Sequence, residues 1–236
     1  MKLVFLGTPD MAVPPLRALV AAGHDVVLVV TRPDKRRGRG GAVSPSPVKA
    51  AARDLGLTVS HDVDDAVSAA RDDGAELGVV VAFGQIVKPH VLDVLPMVNL
   101  HFSLLPRWRG AAPVERALLA GDDVTGVCVM ALEEGLDTGG VYARREVPIG
   151  PETTAIELRS ALVDVGTALL VDTLAAPLGE AVAQTGEVTY ATKLTTDDLE
   201  VDWSQPPAEV HRLIRIGGAW TTFRGKRLKI NAAELH

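Results

Sequence analysis

The chain has 236 residues, 47% of them apolar, and a formal net charge of -6 at pH 7. This length and composition predict a folded protein with a hydrophobic core and argue against a disordered chain. No apolar run reaches the roughly 18 residues that a membrane-spanning helix needs, and the single cysteine, Cys128, excludes an internal disulfide. The negative charge argues against bulk electrostatic binding of nucleic acid, but it does not exclude a local basic patch. We therefore expect a cytoplasmic protein without a membrane anchor.

Apolar runs typical of buried strands alternate with helical periodicity along most of the chain. The first run, at residues 2–6, lacks the long apolar region and cleavage site of a signal peptide, so it predicts a buried strand. Further strands are predicted at residues 25–31, 57–59, 77–82, 97–101, 124–132 and 141–148. Helices are predicted at residues 11–22, 46–55, 63–73, 87–94, 111–120 and 153–176. This order predicts an α/β fold, an open and mostly parallel sheet with helices on both faces.

The alternation of strands and helices weakens towards the C-terminus. Residues 186–205 are polar and typical of a loop, and Pro206 or Pro207 is expected to begin a helix that runs to Ile214. Residues 219–230 predict two short strands around Arg224-Gly225. We therefore divide the chain into a main domain at residues 1–185, a linker with one helix at residues 186–218 and a short β segment at residues 219–236. Two tryptophans of this part, Trp203 and Trp220, are interpreted as packing residues.

Ligands of open parallel sheets bind beyond the carboxyl ends of the strands. Four stretches are predicted at that edge, namely residues 7–10, 83–87, 99–109 and 134–140. None contains the glycine fingerprint of dinucleotide-binding proteins or the phosphate-binding loop of nucleotide hydrolases. No Cys/His cluster has the spacing of metal ligands, so no metal is predicted.

Asn99 and His101 occupy alternate positions of one predicted strand, so both side chains lie on the same face. Two ordinary polar residues that meet water at a strand end are the simpler interpretation. An amide paired with an imidazole at the ligand edge of a sheet favours a functional role. The same choice holds for Asp137, which lies in the glycine-rich stretch EGLDTGG. Its carboxylate either satisfies local backbone amides or, if the loop meets His101, orients and stabilises the imidazolium.

Residues 31–47, TRPDKRRGRGGAVSPSP, form the most basic stretch of the chain. Charge runs of this kind are usually solvated loops. Five cations and three glycines within an acidic chain also fit a loop that orders on a phosphate-rich partner. The cations are Arg32, Lys35, Arg36, Arg37 and Arg39.

Four motifs, taken in order, resemble the methionyl-tRNA formyltransferase family over nearly the whole chain. They are GTPD at residues 7–10, the basic loop ending in SPSPVK at residue 49, NLHFSLLPRWRGAAP at residues 99–113 and GLDTG at residues 135–139. The NxHxSLLP core is similar to that of all 10-formyltetrahydrofolate-dependent formyltransferases. The WRGAAP extension and the RGRG loop resemble the tRNA enzymes more specifically. The resemblance implies a Rossmann-like catalytic domain followed by the start of a C-terminal β domain.

The resemblance also implies an activity, the transfer of a formyl group from 10-formyltetrahydrofolate to the amino group of initiator methionyl-tRNA, in support of translation initiation. Asn99, His101 and Asp137 are then the catalytic residues. The folate contacts are expected from Phe83, Gln85, Ile86, Val87, Ser103, Leu104, Leu105 and Pro106. Contacts to tRNA are expected from Arg36, Arg37, Arg39, Trp108 and Arg109, with the basic loop at residues 32–41 as the main tRNA-binding element. The protein is expected to act as a monomer without metal.

Three features depart from the family pattern. Phe102 stands where family members usually have Gly or Ala, and residues 215–219 are shorter than the usual interdomain linker. The chain also ends before most of a C-terminal β-barrel is complete, which we interpret as a truncation that affects tRNA affinity. The alternative function is formyl transfer to a smaller amine, such as a nucleotide-linked amino sugar. A third alternative is a non-catalytic folate- or RNA-binding protein derived from such an enzyme.

Overall fold

The protein is described from a computed structural model that covers residues 1–37 and 42–235, with the backbone alone at positions 36, 37 and 42. The described strands are Lys2–Gly7 (β1), Asp25–Val30 (β2), Lys35–Arg37 (β3), Ala42–Ser44 (β4), Val59–Ser60 (β5), Leu77–Val81 (β6), Met97–His101 (β7), Arg109–Gly110 (β8), Val124–Ala131 (β9), Val141–Pro148 (β10), Tyr190–Ala191 (β11), Trp220–Phe223 (β12) and Lys226–Lys229 (β13). The described α-helices are Val13–Ala21 (α1), Pro47–Asp54 (α2), Asp65–Asp72 (α3), Pro89–Leu92 (α4), Pro113–Ala120 (α5), Ala155–Leu174 (α6) and Pro207–Arg215 (α7).

A seven-stranded sheet forms the centre of the molecule, in the order β10-β9-β7-β6-β1-β2-β5. Neighbouring strands from β7 to β5 are parallel, whereas β9 is antiparallel to both β7 and β10. The predicted open and mostly parallel sheet is therefore confirmed. One further strand pair, β3 with β4, lies within the stretch that the sequence predicted as a continuous loop.

Each face of the sheet carries its own hydrophobic core. One core includes Val98, Leu100 and Phe102 and packs beneath α1, α2, α5 and α6. The other includes Met97 and Phe83 and packs beneath α3 and α4. Because side chains alternate along a strand, Asn99 and His101 of β7 lie on the second face, with Met97.

Local signals account for where several helices begin and end. The Ser46 hydroxyl accepts a hydrogen bond from the Lys49 backbone N–H at 3.0 Å and caps α2. A capping box between Thr154 and Glu157 begins α6, which the sequence predicted within two residues at each end. Helix α5 ends at Ala120 and is followed by Gly121, whose φ of +74° favours glycine.

The C-terminal part folds back on the main domain through α7, which packs against α5. A small core of Val201, Ile214 and Ala219 joins this helix to the β12–β13 hairpin, which turns at Arg224-Gly225 as predicted. The packing role expected for Trp203 was wrong, because its side chain is 63% exposed and only its indole N–H is bonded, to Thr221. Among the residues that the structure describes, no helix has the length and apolar character that crossing a membrane requires.

Candidate active site

A cavity of about 510 Å³ lies where β6 and β7 end, beneath the loop that joins β9 to β10. Asn99, His101 and Asp137 all line it. The structure therefore brings together the three residues that the sequence predicted as catalytic. The rest of the lining is mainly apolar, which lowers the local dielectric and strengthens polar interactions with a bound molecule.

His101 is almost completely buried at the end of β7, with 5% of its surface exposed. Its Nε2 atom lies 2.9 Å from the Trp108 carbonyl oxygen, so Nε2–H donates to that carbonyl. The carbonyl is aimed at the ring by an unusual backbone conformation, because Trp108 has a φ of +62°. This hydrogen bond fixes the ring and leaves Nδ1 facing Asp137.

The Asp137 carboxylate completes the group from the loop after β9. Its Oδ2 atom lies 3.6 Å from His101 Nδ1 and accepts a hydrogen bond of 2.7 Å from the Gly110 N–H. The amide that this oxygen satisfies is distant in sequence, 27 residues away, and not one of its own loop as the simpler interpretation held. The loop does meet His101, and stabilisation of an imidazolium by Asp137 stays a prediction.

The reason that Asp137 reaches His101 differs from the one predicted. The sequence placed its loop at the carboxyl edge of a parallel sheet, but β9 is antiparallel to β7. The loop therefore begins at the opposite end of β7, where the Leu132 N–H bonds to the Met97 carbonyl. It then folds over the face that carries Asn99 and His101.

The predicted folate residues fall into two groups. Phe83, Gln85, Ile86 and Val87 line the cavity, and the Ile86 side chain is 86% exposed at its rim. The turn at residues 103–106 does not contribute to the described lining. Ser103 is buried and its hydroxyl donates to the Arg107 carbonyl at 2.5 Å. Leu104 packs near Gly126, Leu105 packs with Cys128, and the Pro106 carbonyl accepts from the Thr189 N–H.

The residues predicted to bind tRNA come from two stretches of the chain, and the structure describes the side chains of only one of them. Arg39 lies outside the described residues, and Arg36 and Arg37 are described by backbone alone, in β3. The base of this loop is fixed by Lys49, whose ammonium group donates to Asp34 Oδ1 at 2.8 Å and so lowers the pKa of that carboxyl. A role of the loop in binding tRNA stays a prediction.

Trp108 and Arg109 direct their polar groups into the protein. The Trp108 indole N–H donates to Asp122 Oδ2 at 2.7 Å, and the Arg107 guanidinium stacks over the indole while pairing with the same carboxylate. This hydrogen bond with Asp122 raises the pKa of Arg107. Arg109 donates from Nε and Nη2 to the Gln184 amide oxygen, at 3.1 and 2.7 Å.

Several supporting residues were missed by the sequence analysis. Asp122 anchors Arg107 and Trp108, while Gln184 comes from the last residues of the predicted main domain and Thr189 from the predicted linker. An ion pair of Glu115 with Arg159 lines the far side of the cavity. No local pattern identifies these residues, because each contact joins parts of the chain more than ten residues apart. Among the described residues, no group of three His, Cys, Asp or Glu is arranged to hold a metal ion.

Residues 1–174 match the family model described as formyl transferase, and residues 193–236 match the model described as formyl transferase, C-terminal domain. Two relatives named methionyl-tRNA formyltransferase are similar over 100% of this chain. The protein from Roseobacter denitrificans is 50% identical, with 81% of its length covered, and that from Heliobacterium modesticaldum is 48% identical, with 78% covered.

Solved structures show the same fold at lower identity. A sugar N-formyltransferase from a Shewanella species superposes with a TM-score of 0.75 at 19% identity, over 100% of this chain and 99% of that one. A methionyl-tRNA formyltransferase from Clostridium thermocellum superposes with a TM-score of 0.68 at 13% identity, over 100% and 94%. From the family models and the full-length relatives, and in keeping with the residues gathered in the cavity, the chain belongs to the methionyl-tRNA formyltransferase family.

Proposed function

We propose that this protein transfers the formyl group of 10-formyltetrahydrofolate to the amino group of initiator methionyl-tRNA. The observation that carries the proposal is the meeting of Asn99, His101 and Asp137 at one end of an apolar cavity. Relatives that are about half identical to this chain over its full length are named for this activity. The reaction belongs to the cytoplasm, where initiator tRNA is used.

Formyl transfer requires a neutral amine to attack the formyl carbon and form a tetrahedral oxyanion. The bond between that carbon and N10 of the folate then breaks, the amine loses one proton and N10 gains one. Asn99 lines the cavity and its side-chain N–H groups can donate to the developing oxyanion. A donor of this kind lowers the barrier by about 3 kcal/mol.

His101 and Asp137 handle the proton in this mechanism. The Trp108 carbonyl occupies Nε2–H, so the exchangeable position is Nδ1, which faces the Asp137 carboxylate at 3.6 Å. The proton released by the attacking amine is accepted there and held between the two groups. It is then passed to N10 as the bond to the folate breaks.

The two sides of the cavity suit the two substrates. Residues 82–87 and 132–137 line one side with mainly apolar groups and backbone, a surface that fits the flat pterin and its benzoyl extension. A structural neighbour, HypX from Aquifex aeolicus, was solved in complex with tetrahydrofolic acid. On the other side, Pro9, Met11, Pro113 and Val114 form an apolar wall that fits the unbranched side chain of methionine.

A formylation assay tests the proposal. Purified protein is given 10-formyltetrahydrofolate with either initiator methionyl-tRNA or a nucleotide-linked amino sugar, and the formylated product is measured. We expect turnover on the tRNA and none above background on the sugar, with Asn99→Ala as the inactive control. Preference for the sugar would replace the proposed acceptor, and no turnover on either would support the non-catalytic alternative.

A further inference from the structure

The side chain of Gln184 makes two hydrogen bonds to the loop that carries Asp137. The Gln184 amide N–H groups donate to two backbone carbonyls of the loop, those of Asp137 and Gly139, each at 2.8 Å. Asp137 itself has a φ of +50°, a conformation that non-glycine residues adopt rarely and that Asp tolerates better than most. Bonds at Asp137 itself and two residues after it therefore restrain the backbone that directs its carboxylate.

The other end of the same amide is fixed as well. Gln184 Oε1 accepts both hydrogen bonds from the Arg109 guanidinium, which follows the Trp108 carbonyl that holds His101. The orientation of the amide follows from these partners, because a flipped amide would place N–H groups against guanidinium N–H groups and oxygen against carbonyl oxygens. One side chain thus joins the segment that positions His101 to the loop that supplies Asp137.

The segment that carries Gln184 is itself paired with both neighbours. Val182 exchanges two backbone hydrogen bonds with Val141, of 2.8 and 2.9 Å, beside the end of the Asp137 loop. The Thr189 carbonyl accepts from the Arg109 N–H at 2.9 Å, and the Thr189 hydroxyl accepts from the Trp108 N–H at 2.9 Å. The segment lies between the two parts of the chain that match family models, residues 1–174 and 193–236. It nevertheless connects the two halves of the site.

We propose that Gln184 is a positioning residue that sets the Asp137 carboxylate against His101 and acts on catalysis only through Asp137. It does not line the described cavity, so it is not expected to contact either substrate. The inference rests on the proposed formyl transfer. Arg109 is assigned the same role, because its guanidinium is hydrogen-bonded to Gln184 and is not one of the groups that line the cavity.

Two substitutions separate positioning from packing. Gln184→Leu keeps approximate size and removes all hydrogen bonds, while Gln184→Glu keeps the acceptor for Arg109 and removes both donors to the loop. Each should lower kcat on methionyl-tRNA about 10- to 100-fold, because small displacements of a reacting group are costly. The KM values for both substrates should stay within about twofold, since no substrate contact is removed.

The matched control is Gln205→Leu, since the Gln205 side chain makes one hydrogen bond, to Asp202, away from the cavity. It should leave kcat unchanged. The decisive measurement combines Gln184→Leu with Asp137→Asn and compares single-turnover rates. If Gln184 acts through Asp137, Gln184→Leu should lower the single-turnover rate less than about twofold when Asp137→Asn is already present.

Three results would overturn the inference. The first is a wild-type kcat in both Gln184 variants. The second is a loss of rate on Gln184→Leu that is as large in the Asp137→Asn protein as in the wild-type protein. The third is failure of both Gln184 variants to fold, as judged by circular dichroism. The last would make Gln184 a stability residue. None of these touches the proposed function, which fails only if the wild-type protein does not formylate methionyl-tRNA.

Discussion

Two neighbouring stretches of the chain use their polar groups in opposite ways. At the end of β7, Asn99 and His101 present polar atoms to a cavity, and Asp137 joins them from another loop. Only six residues further on, Arg107 and Trp108 direct their side-chain donors to the mostly buried carboxylate of Asp122. From the sequence, both stretches look functional, but of these four residues only Asn99 and His101 line the cavity.

This difference separates the residues that we propose to act in catalysis from residues that hold them in place. The Trp108 carbonyl positions the His101 ring, and Arg109 reaches the Asp137 loop through Gln184. The second stretch therefore acts as a support for the first. Substitutions at the cavity should reduce turnover with little effect on stability, and substitutions in the support should do the reverse unless they disturb Asp137.

The largest effect is expected at Asn99. Asn99→Ala removes a donor aimed at the developing oxyanion, so kcat should fall by about 100-fold or more. The fold should be preserved, because the amide lines the cavity instead of the core. Steady-state kinetics and thermal unfolding measure the two quantities. Near-normal turnover in a folded variant would remove Asn99 from the mechanism.

His101→Ala and Asp137→Ala should each lower kcat by about 100-fold as well, since each acts on the proton in the transition state. The double variant should be little worse than either single variant, because the two groups act as one unit. Kinetics of the three proteins test this. Losses that multiply in the double variant would mean that the two residues act independently.

The basic loop at residues 32–41 can be compared directly with Arg107 of the supporting stretch. Replacing Arg36, Arg37 and Arg39 together should weaken binding of methionyl-tRNA and flatten the slope of log affinity against log salt by roughly two to three units. Replacing Arg107 should leave that slope unchanged, because Asp122 already pairs with its guanidinium. Binding is measured at several salt concentrations, with folate affinity as the control. An unchanged slope in the triple variant would remove the loop from the tRNA site.

The support itself can be weakened at Asp122. This carboxylate is mostly buried and accepts three hydrogen bonds, from Arg107 and Trp108. Asp122→Asn should lower the free energy of unfolding by about 1–3 kcal/mol, while kcat changes by less than about threefold. The matched control is Asp54→Asn, which breaks an exposed pair with Arg17 and should cost less than about 1 kcal/mol. Equal losses in urea unfolding would contradict the supporting role of Asp122.

Much of the fold could be predicted because its signals are local. The strand at Met97–His101 and the helix at Ala155–Leu174 follow from apolar periodicity and a capping box. The antiparallel direction of β9 could not be predicted, because nothing in a strand's own sequence fixes the direction of its neighbour. Gln184 was missed for a related reason, since its three partners come from residues 109, 137 and 139. Contacts between distant segments leave no periodic pattern in the sequence.

The last prediction concerns the ionisation of Cys128, which lies directly opposite His101 on β9 and whose ionisation has no effect on stability at neutral pH. The histidine lines the cavity, whereas the thiol is fully buried, and burial raises the pKa of Cys128 from 9.0 to about 11. Well below pH 9 the thiol is neutral in both the folded and the unfolded chain. Between pH 9 and 11 the unfolded chain forms the thiolate and the folded chain does not, so the unfolded state is favoured increasingly.

Wild-type protein should therefore lose about 2–3 kcal/mol more of its unfolding free energy between pH 8 and 11 than Cys128→Ala does. Urea unfolding at intervals of one pH unit measures the difference, and groups that titrate in both proteins cancel. The substitution lowers stability at every pH by leaving a small cavity, so the change with pH is compared and not the absolute value. Parallel curves would show that Cys128 can ionise within the fold.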